Sequence, residues 1–197
     1  VSITLANPNN QLVFTAGQTL TFTPLNWMVD QMVTFMADDD LVAEGTHNAT
    51  IAFAINSTPP DVLYNNLTFP AELVRITDND TPGVTITPSG GSTFVAEGGA
   101  SDTLTVVLDT QPASNVTVAP STLAGTFGPG NDISFSGGSN NNGILVFTSA
   151  NWNIPQTITV DAFPDTLVET LAPLTESAIM NFAFTGDPMY AALPLQT

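Results

Sequence analysis

The chain has 197 residues, one Lys or Arg against 18 Asp and Glu, a formal net charge of −17, no cysteine and 43% hydrophobic residues. With Arg75 as its only strong base, it cannot neutralise phosphates, which excludes nucleic acid and anionic membrane surfaces as partners; without cysteine it has no disulfide, thiolate metal site or thiol nucleophile. Its apolar content is too high for a disordered polyanion, and no run of about 18 apolar residues is present to insert in a bilayer.

Fourteen Gly and fifteen Pro divide the chain into short pieces, so any regular elements must be short. In chain order, stretches rich in Val, Ile, Thr and Phe fall at 31–35, 49–55, 72–77, 83–87, 103–108, 115–118, 155–160 and 178–184. Several alternate apolar and polar residues, the two-residue period of a strand with one buried face. Thr157 and Thr159, interleaved with Ile158 and Val160, are an example. Strands at roughly ten-residue spacing predict an all-β sandwich or barrel with no significant helix.

The chain repeats itself. Residues 20–44 align without gaps on 145–169, with ten of 25 positions identical, among them Phe22/Phe147, Thr23/Thr148, Asn26/Asn151, Trp27/Trp152 and Gln31/Gln156. Such self-similarity marks one structural unit used twice. Further on, Asp61 matches Asp187 and Tyr64 matches Tyr190, while 1–4 resembles 116–119. The predicted domains are 1–81 and 82–197, the second carrying a Gly/Asn/Ser-rich insertion near 128–143. The copies are cut unequally: the first lacks a counterpart of 83–115, and the second stops before a counterpart of 65–80. This is expected of an excerpt from a tandem array, or of incomplete domains that neighbouring chains complete by strand addition.

The motif LTFT-x2-NW-x3-Q, the acidic loop after it and the junction ITDNDTPG–GVTIT resemble the Calx-beta repeat family and its bacterial surface and adhesin-type relatives. The resemblance implies tandem immunoglobulin-like Greek-key sandwiches, Ca²⁺ near one tip of each domain, and a mechanical or adhesive role outside the cell. It assigns calcium ligation to Asp38, Asp39, Asp40, Glu44, Asp78 and Asp80, with Glu97 as the acid entering the second copy. The residue chemistry agrees: three consecutive carboxylates repel, and Ca²⁺ takes six to eight oxygens at about 2.3–2.6 Å. Solvated turn acids are the other reading. In the second copy Phe163 and Pro164 replace Asp38 and Asp39, leaving Asp165, Glu169 and Glu97, so a full site is not expected there.

The remaining candidates read as structural. His47 lacks an accompanying nucleophile and orienting acid and is expected at a strand start. Asp102 is read as a strand-start residue. The paired Trp27 and Trp152 are expected to pack, an exposed one being a platform for sugars. Sequons at Asn48, Asn56, Asn66 and Asn115 are no more frequent than composition allows. Together these features predict a non-enzymatic, extracellular structural segment of a filament, adhesin stalk or surface layer. Its expected partners are neighbouring copies of itself or further repeats, with glycans a further candidate. The alternatives are a filament subunit polymerising by strand exchange, and a carbohydrate-binding or Ca²⁺-regulated module attached to an enzyme.

Overall fold

The computed structural model describes residues 1–57, 61, 63–65, 67–122, 133–164 and 178–196. The protein is nearly all β, 45% strand and 4% helix. It divides into two compact units, Val1–Asp40 with Gly45–Asp78, and Leu41–Glu44 with Asn79–Thr197. No helix among the described residues is long and apolar enough to cross a membrane.

Unit 1 contains β1 (Ser2–Ala6), β2 (Leu12–Ala16), β3 (Thr19–Thr21), β4 (Thr34–Ala37), β5 (His47–Asn56) and β6 (Glu72–Ile76). One sheet has the order β3-β1-β5-β6, and β2 pairs with β4 in a second. The two sheets share a small core: Leu5, Leu12, Ala49, Ile51 and Ile76 are buried, with Phe14, Leu20, Val33, Phe53 and Val74 partly buried against them.

Unit 2 contains β7 (Val84–Pro88), β8 (Asp102–Leu108), β9 (Val116–Thr122), β10 (Ile133–Gly137), β11 (Leu145–Phe147), β12 (Gln156–Ala162) and β13 (Met180–Gly186). A four-stranded sheet of order β10-β12-β8-β7 faces a three-stranded sheet of order β11-β9-β13. The buried cluster draws on both: Leu104, Val106 and Leu108 from β8 and Ile158 and Val160 from β12 meet Val116, Val118, Leu145, Phe147, Phe182 and Phe184. Strict alternation along β8 puts every second side chain inside, and each fully buried aliphatic or Phe side chain contributes about 1.5–3 kcal/mol.

The internal repeat is structural as well as textual. Leu20 lies opposite Ile3, as Leu145 lies opposite Val118. Ala37 lies opposite Leu12 and Phe35 opposite Phe14, as Ala162 lies opposite Ile133 and Val160 opposite Phe135. Gly17 and Gly137 both take positive φ, 73° and 84°, where a side chain would press on the carbonyls of Met32 and Thr157 respectively. These carbonyls are repeat counterparts, so the same left-handed turn closes both copies.

One expectation needs correction. The stretch 128–143 is not simply an insertion: Ile133–Gly137 is β10, the counterpart of β2. Part of the extra length lies after it, where Gly138–Ile144 replaces the short Gly17–Gln18 connection, and the rest falls in 123–132, outside the described residues. The helical segments among the described residues are one turn, α1 (Pro188–Ala191), and a short 3₁₀ turn at Ser89–Gly91, in keeping with the expectation of no significant helix.

Candidate functional site

The most specific repeated motif builds a turn. In unit 2, Asn151 Oδ1 accepts from the Thr148 backbone N–H at 2.6 Å and the Thr148 hydroxyl at 3.0 Å. Its Nδ2 donates to the Val146 carbonyl at 3.3 Å, and Gln156 Nε2 donates to the same carbonyl at 2.9 Å. In unit 1, Asn26 makes the same bonds to Thr23 and the Thr21 carbonyl, and Gln31 donates to Thr21 at 2.8 Å. The spacing N-W-x3-Q is therefore the spacing of a side-chain clamp on a strand exit. Asn and Gln suit it because each carries a donor and an acceptor on one amide.

The tryptophans that follow differ. Trp152 is half-buried against the core of unit 2, and its carbonyl accepts from the Leu108 N–H at 3.1 Å. Trp27 is 66% exposed. The expectation that both pack holds for Trp152 and fails for Trp27, because β8 supplies the wall behind Trp152 and unit 1 has no counterpart of β8 among the described residues. The same difference recurs along the neighbouring strand. In unit 2, Ile158 and Val160 are 0% and 1% exposed. Their counterparts in unit 1 are Val33, half-buried, and Phe35, 38% exposed.

A second repeated pair, Asp61/Asp187 with Tyr64/Tyr190, follows the same rule. Asp187 is fully buried and caps α1: Oδ1 accepts from Met189 N–H at 2.9 Å, and Oδ2 from Ser114 N–H at 2.9 Å. Tyr190, also fully buried, donates its phenol to the Thr110 carbonyl at 2.6 Å and shares a second bond with the Thr110 hydroxyl at 2.9 Å. Burial raises the Tyr190 phenol pKa, partly offset by these bonds. Tyr64 is 45% exposed. The dipeptide Asp187-Pro188 was a legible signal for this cap, Asp at the N-cap and Pro at the first helical position.

The acidic residues fall in both units. Asp38, Asp39 and Asp40 are exposed beyond the end of β4, where the Asp38 N–H donates to the Gln11 carbonyl at 3.0 Å. Asp78, also in unit 1, is half-buried and accepts from the Gly45 N–H at 2.9 Å. In unit 2, Glu44 and Asp80 are half-buried, and Glu97 is exposed in the turn closed by Gly99 N–H on the Ala96 carbonyl. Among the described residues, no three acidic or histidine side chains gather as a metal-holding group. Asp165 and Glu169 lie outside the described residues. Asp102 opens β8, as its strand-start reading has it. The Ser89 hydroxyl, then the Phe94 and Thr103 N–H groups, donate to its carboxylate and hold its pKa below the usual aspartate value.

His47 begins β5, half-buried, with Nδ1 at 3.0 Å from the Gly45 carbonyl and Nε2 at 3.0 Å from Gln11 Oε1. Both ring nitrogens are thus engaged in local structure. Within unit 2, Leu41–Glu44 runs beside Gln111: the Gln111 N–H donates to the Leu41 carbonyl at 2.8 Å and the Ala43 N–H to the Gln111 carbonyl at 3.1 Å.

The edges of the two sandwiches differ in one decisive place. In unit 2, β12 is flanked on both sides, by β10 and by β8. In unit 1, its counterpart β4 pairs only with β2 among the described residues, and all four of its residues are exposed. Comparison with protein-family models, curated proteins and solved structures gives no match to this chain.

Proposed function

We propose that the chain is a non-enzymatic, extracellular structural segment: two immunoglobulin-like Greek-key sandwiches of the Calx-beta-like kind, set in tandem in a cell-surface filament, adhesin stalk or surface layer. One observation carries this reading. The residues that most distinguish the repeat, Thr, Asn and Gln of the NW turn, make the same backbone clamp in both units. The repeated residues therefore hold a shape, which is what a load-bearing repeat requires.

The mechanism is mechanical. Antiparallel backbone ladders resist extension, and the acidic surface keeps neighbouring segments apart. Calcium enters the reading through the run Asp38–Asp40, whose mutual repulsion a divalent cation would relieve. Isothermal titration with Ca²⁺ and melting in chelator test that part by themselves: no heat and no change in melting would remove calcium from the account.

A second reading, a subunit that pairs strands with its neighbours, is favoured by the open edge of β4. The sugar-binding alternative looks to an exposed Trp152, which is half-buried; the exposed tryptophan is Trp27. Pulling the chain by its ends tests the leading reading. Two unfolding events are expected, with length gains on the order of 25 and 40 nm from the reach of extended chains. Featureless extension at low force would overturn the reading.

A further inference from the structure

Unit 2 is a template for unit 1, and the template shows what belongs on the open face. The strand pair β7–β8 lies along β12, with Leu104 opposite Ile158 and Val106 opposite Gln156. Its side chains Leu104, Val106 and Leu108 close the core beneath Trp152 and Val160. In unit 1 the matching positions are Phe35 on β4 and Val33, Gln31 and Trp27 on the chain leading into it, and β4, unlike its counterpart β12, has a neighbour on one edge alone among the described residues.

We infer that the open edge of β4 and the apolar face beside it form a docking site for a β-hairpin of the repeat's own kind, with the alternation that Val84–Leu108 shows in unit 2. The occupant adds its second strand to β4 in antiparallel register and places its alternate aliphatic side chains on Phe35 and Trp27. Strand addition supplies affinity through the backbone, and the alternating side chains set the register. Three observations specify this occupant. The pairing registers of the two units are equivalent at β1–β3 and β2–β4. Trp27, Val33 and Phe35 are each more exposed than Trp152, Ile158 and Val160, their counterparts in the core that β8 helps to close in unit 2. Tyr64 is exposed while Tyr190 is bonded to Thr110, two residues past the end of β8.

This inference rests on the structural-repeat reading and names the partner of its open sandwich. An exposed apolar strand edge is otherwise a liability for aggregation, and a matching hairpin removes it.

The test adds a synthetic peptide of residues 83–112 to the intact chain and follows tryptophan emission. Trp152 already packs on the core, so a blue shift reports on Trp27, and the Trp27→Phe chain should lose the signal. Saturable one-to-one binding is expected, weakened roughly tenfold or more by Val106→Asp in the peptide, since that change buries a carboxylate against an apolar face. A second variant supplies the hairpin in cis, by fusing residues 83–115 directly before Val1. Because Val1 matches Val116, this reproduces the spacing of unit 2, and unit 1 should melt higher with Trp27 shielded. A folded chain whose emission and melting neither peptide nor fusion changes would overturn the inference. Self-association with Trp27 already shielded would also overturn it, by making a second copy the occupant. The pulling experiment judges the structural reading separately, since it needs no peptide.

Discussion

Replacing Asn151 with Ala removes the centre of the NW clamp in unit 2, and the structure sets the cost. Two bonds from Thr148 vanish, to its N–H at 2.6 Å and its hydroxyl at 3.0 Å. The third partner, the Val146 carbonyl, keeps Gln156 at 2.9 Å and loses little. A net hydrogen bond is worth about 1 kcal/mol, and a half-buried N–H left without a partner costs about 1–3 kcal/mol. The hydroxyl can turn to water, so the sum is about 2–3 kcal/mol. For a domain of this size each kcal/mol lowers the midpoint by roughly 4 °C, giving a loss of about 8–12 °C in the unit 2 transition. Differential scanning calorimetry reads it. Asn151→Asp keeps an acceptor for both Thr148 groups but sets a carboxylate oxygen where Nδ2 met the Val146 carbonyl, so it should cost less than the alanine variant without being neutral. A shift below about 2 °C for the alanine variant, or equal losses for both variants, would refute the clamp argument.

Three further outcomes are expected. Tyr190→Phe should destabilise unit 2 by about 1–2 kcal/mol through loss of the Thr110 bonds. It should also flatten the alkaline limb: a raised folded pKa gives stability that is full below the ordinary phenol value near 10 and lost as pH climbs through the folded value, so melting from pH 9 to 12 should separate the two proteins. Asp187→Ala removes the α1 cap and the Ser114 acceptor and should cost about 2–4 kcal/mol in urea melts at unchanged m-value. Asp102 has its pKa lowered by the Ser89 hydroxyl first; its contribution is present above the usual aspartate value and is lost as pH falls through the lowered one. Asp102→Asn should therefore melt with a shallower dependence on pH in the acid range than the parent chain.

Much of the fold was legible because alternation survives in the longer strands. Apolar residues at every second position announce β8 and β12, and both form within a residue or two of the predicted bounds. The short strands escaped separate prediction. β3 and β11 hold three residues each, too few to show a period, and entered only through the repeat. β10 is masked by its Ser and Gly residues and by the turn after it, although Phe135 opposite Val160 repeats Phe14 opposite Phe35. Trp27 shows what a repeat cannot tell. Identical residues in matching places have the same surroundings only where the neighbouring strands are also matched, and β7–β8 has no counterpart in unit 1 among the described residues. The acidic candidates mark a different limit. Spacing along the chain places Asp38–Asp40 beyond β4, but which carboxylates converge depends on loop packing that a sequence pattern does not encode. Asp187 entered only as a match to Asp61, although the Pro directly after it already marks an N-cap.

The central claim is that one sandwich design occurs twice, closed at β12 and, among the described residues, open at β4. Amide hydrogen exchange on the intact chain tests it most directly, because protection reports whether each strand edge is paired. The account predicts slow exchange across Gln156–Ala162 and fast exchange on the outer edge of Thr34–Ala37, with the peptide of residues 83–112 slowing the latter. Equally slow exchange on both strands in the isolated monomer would contradict it.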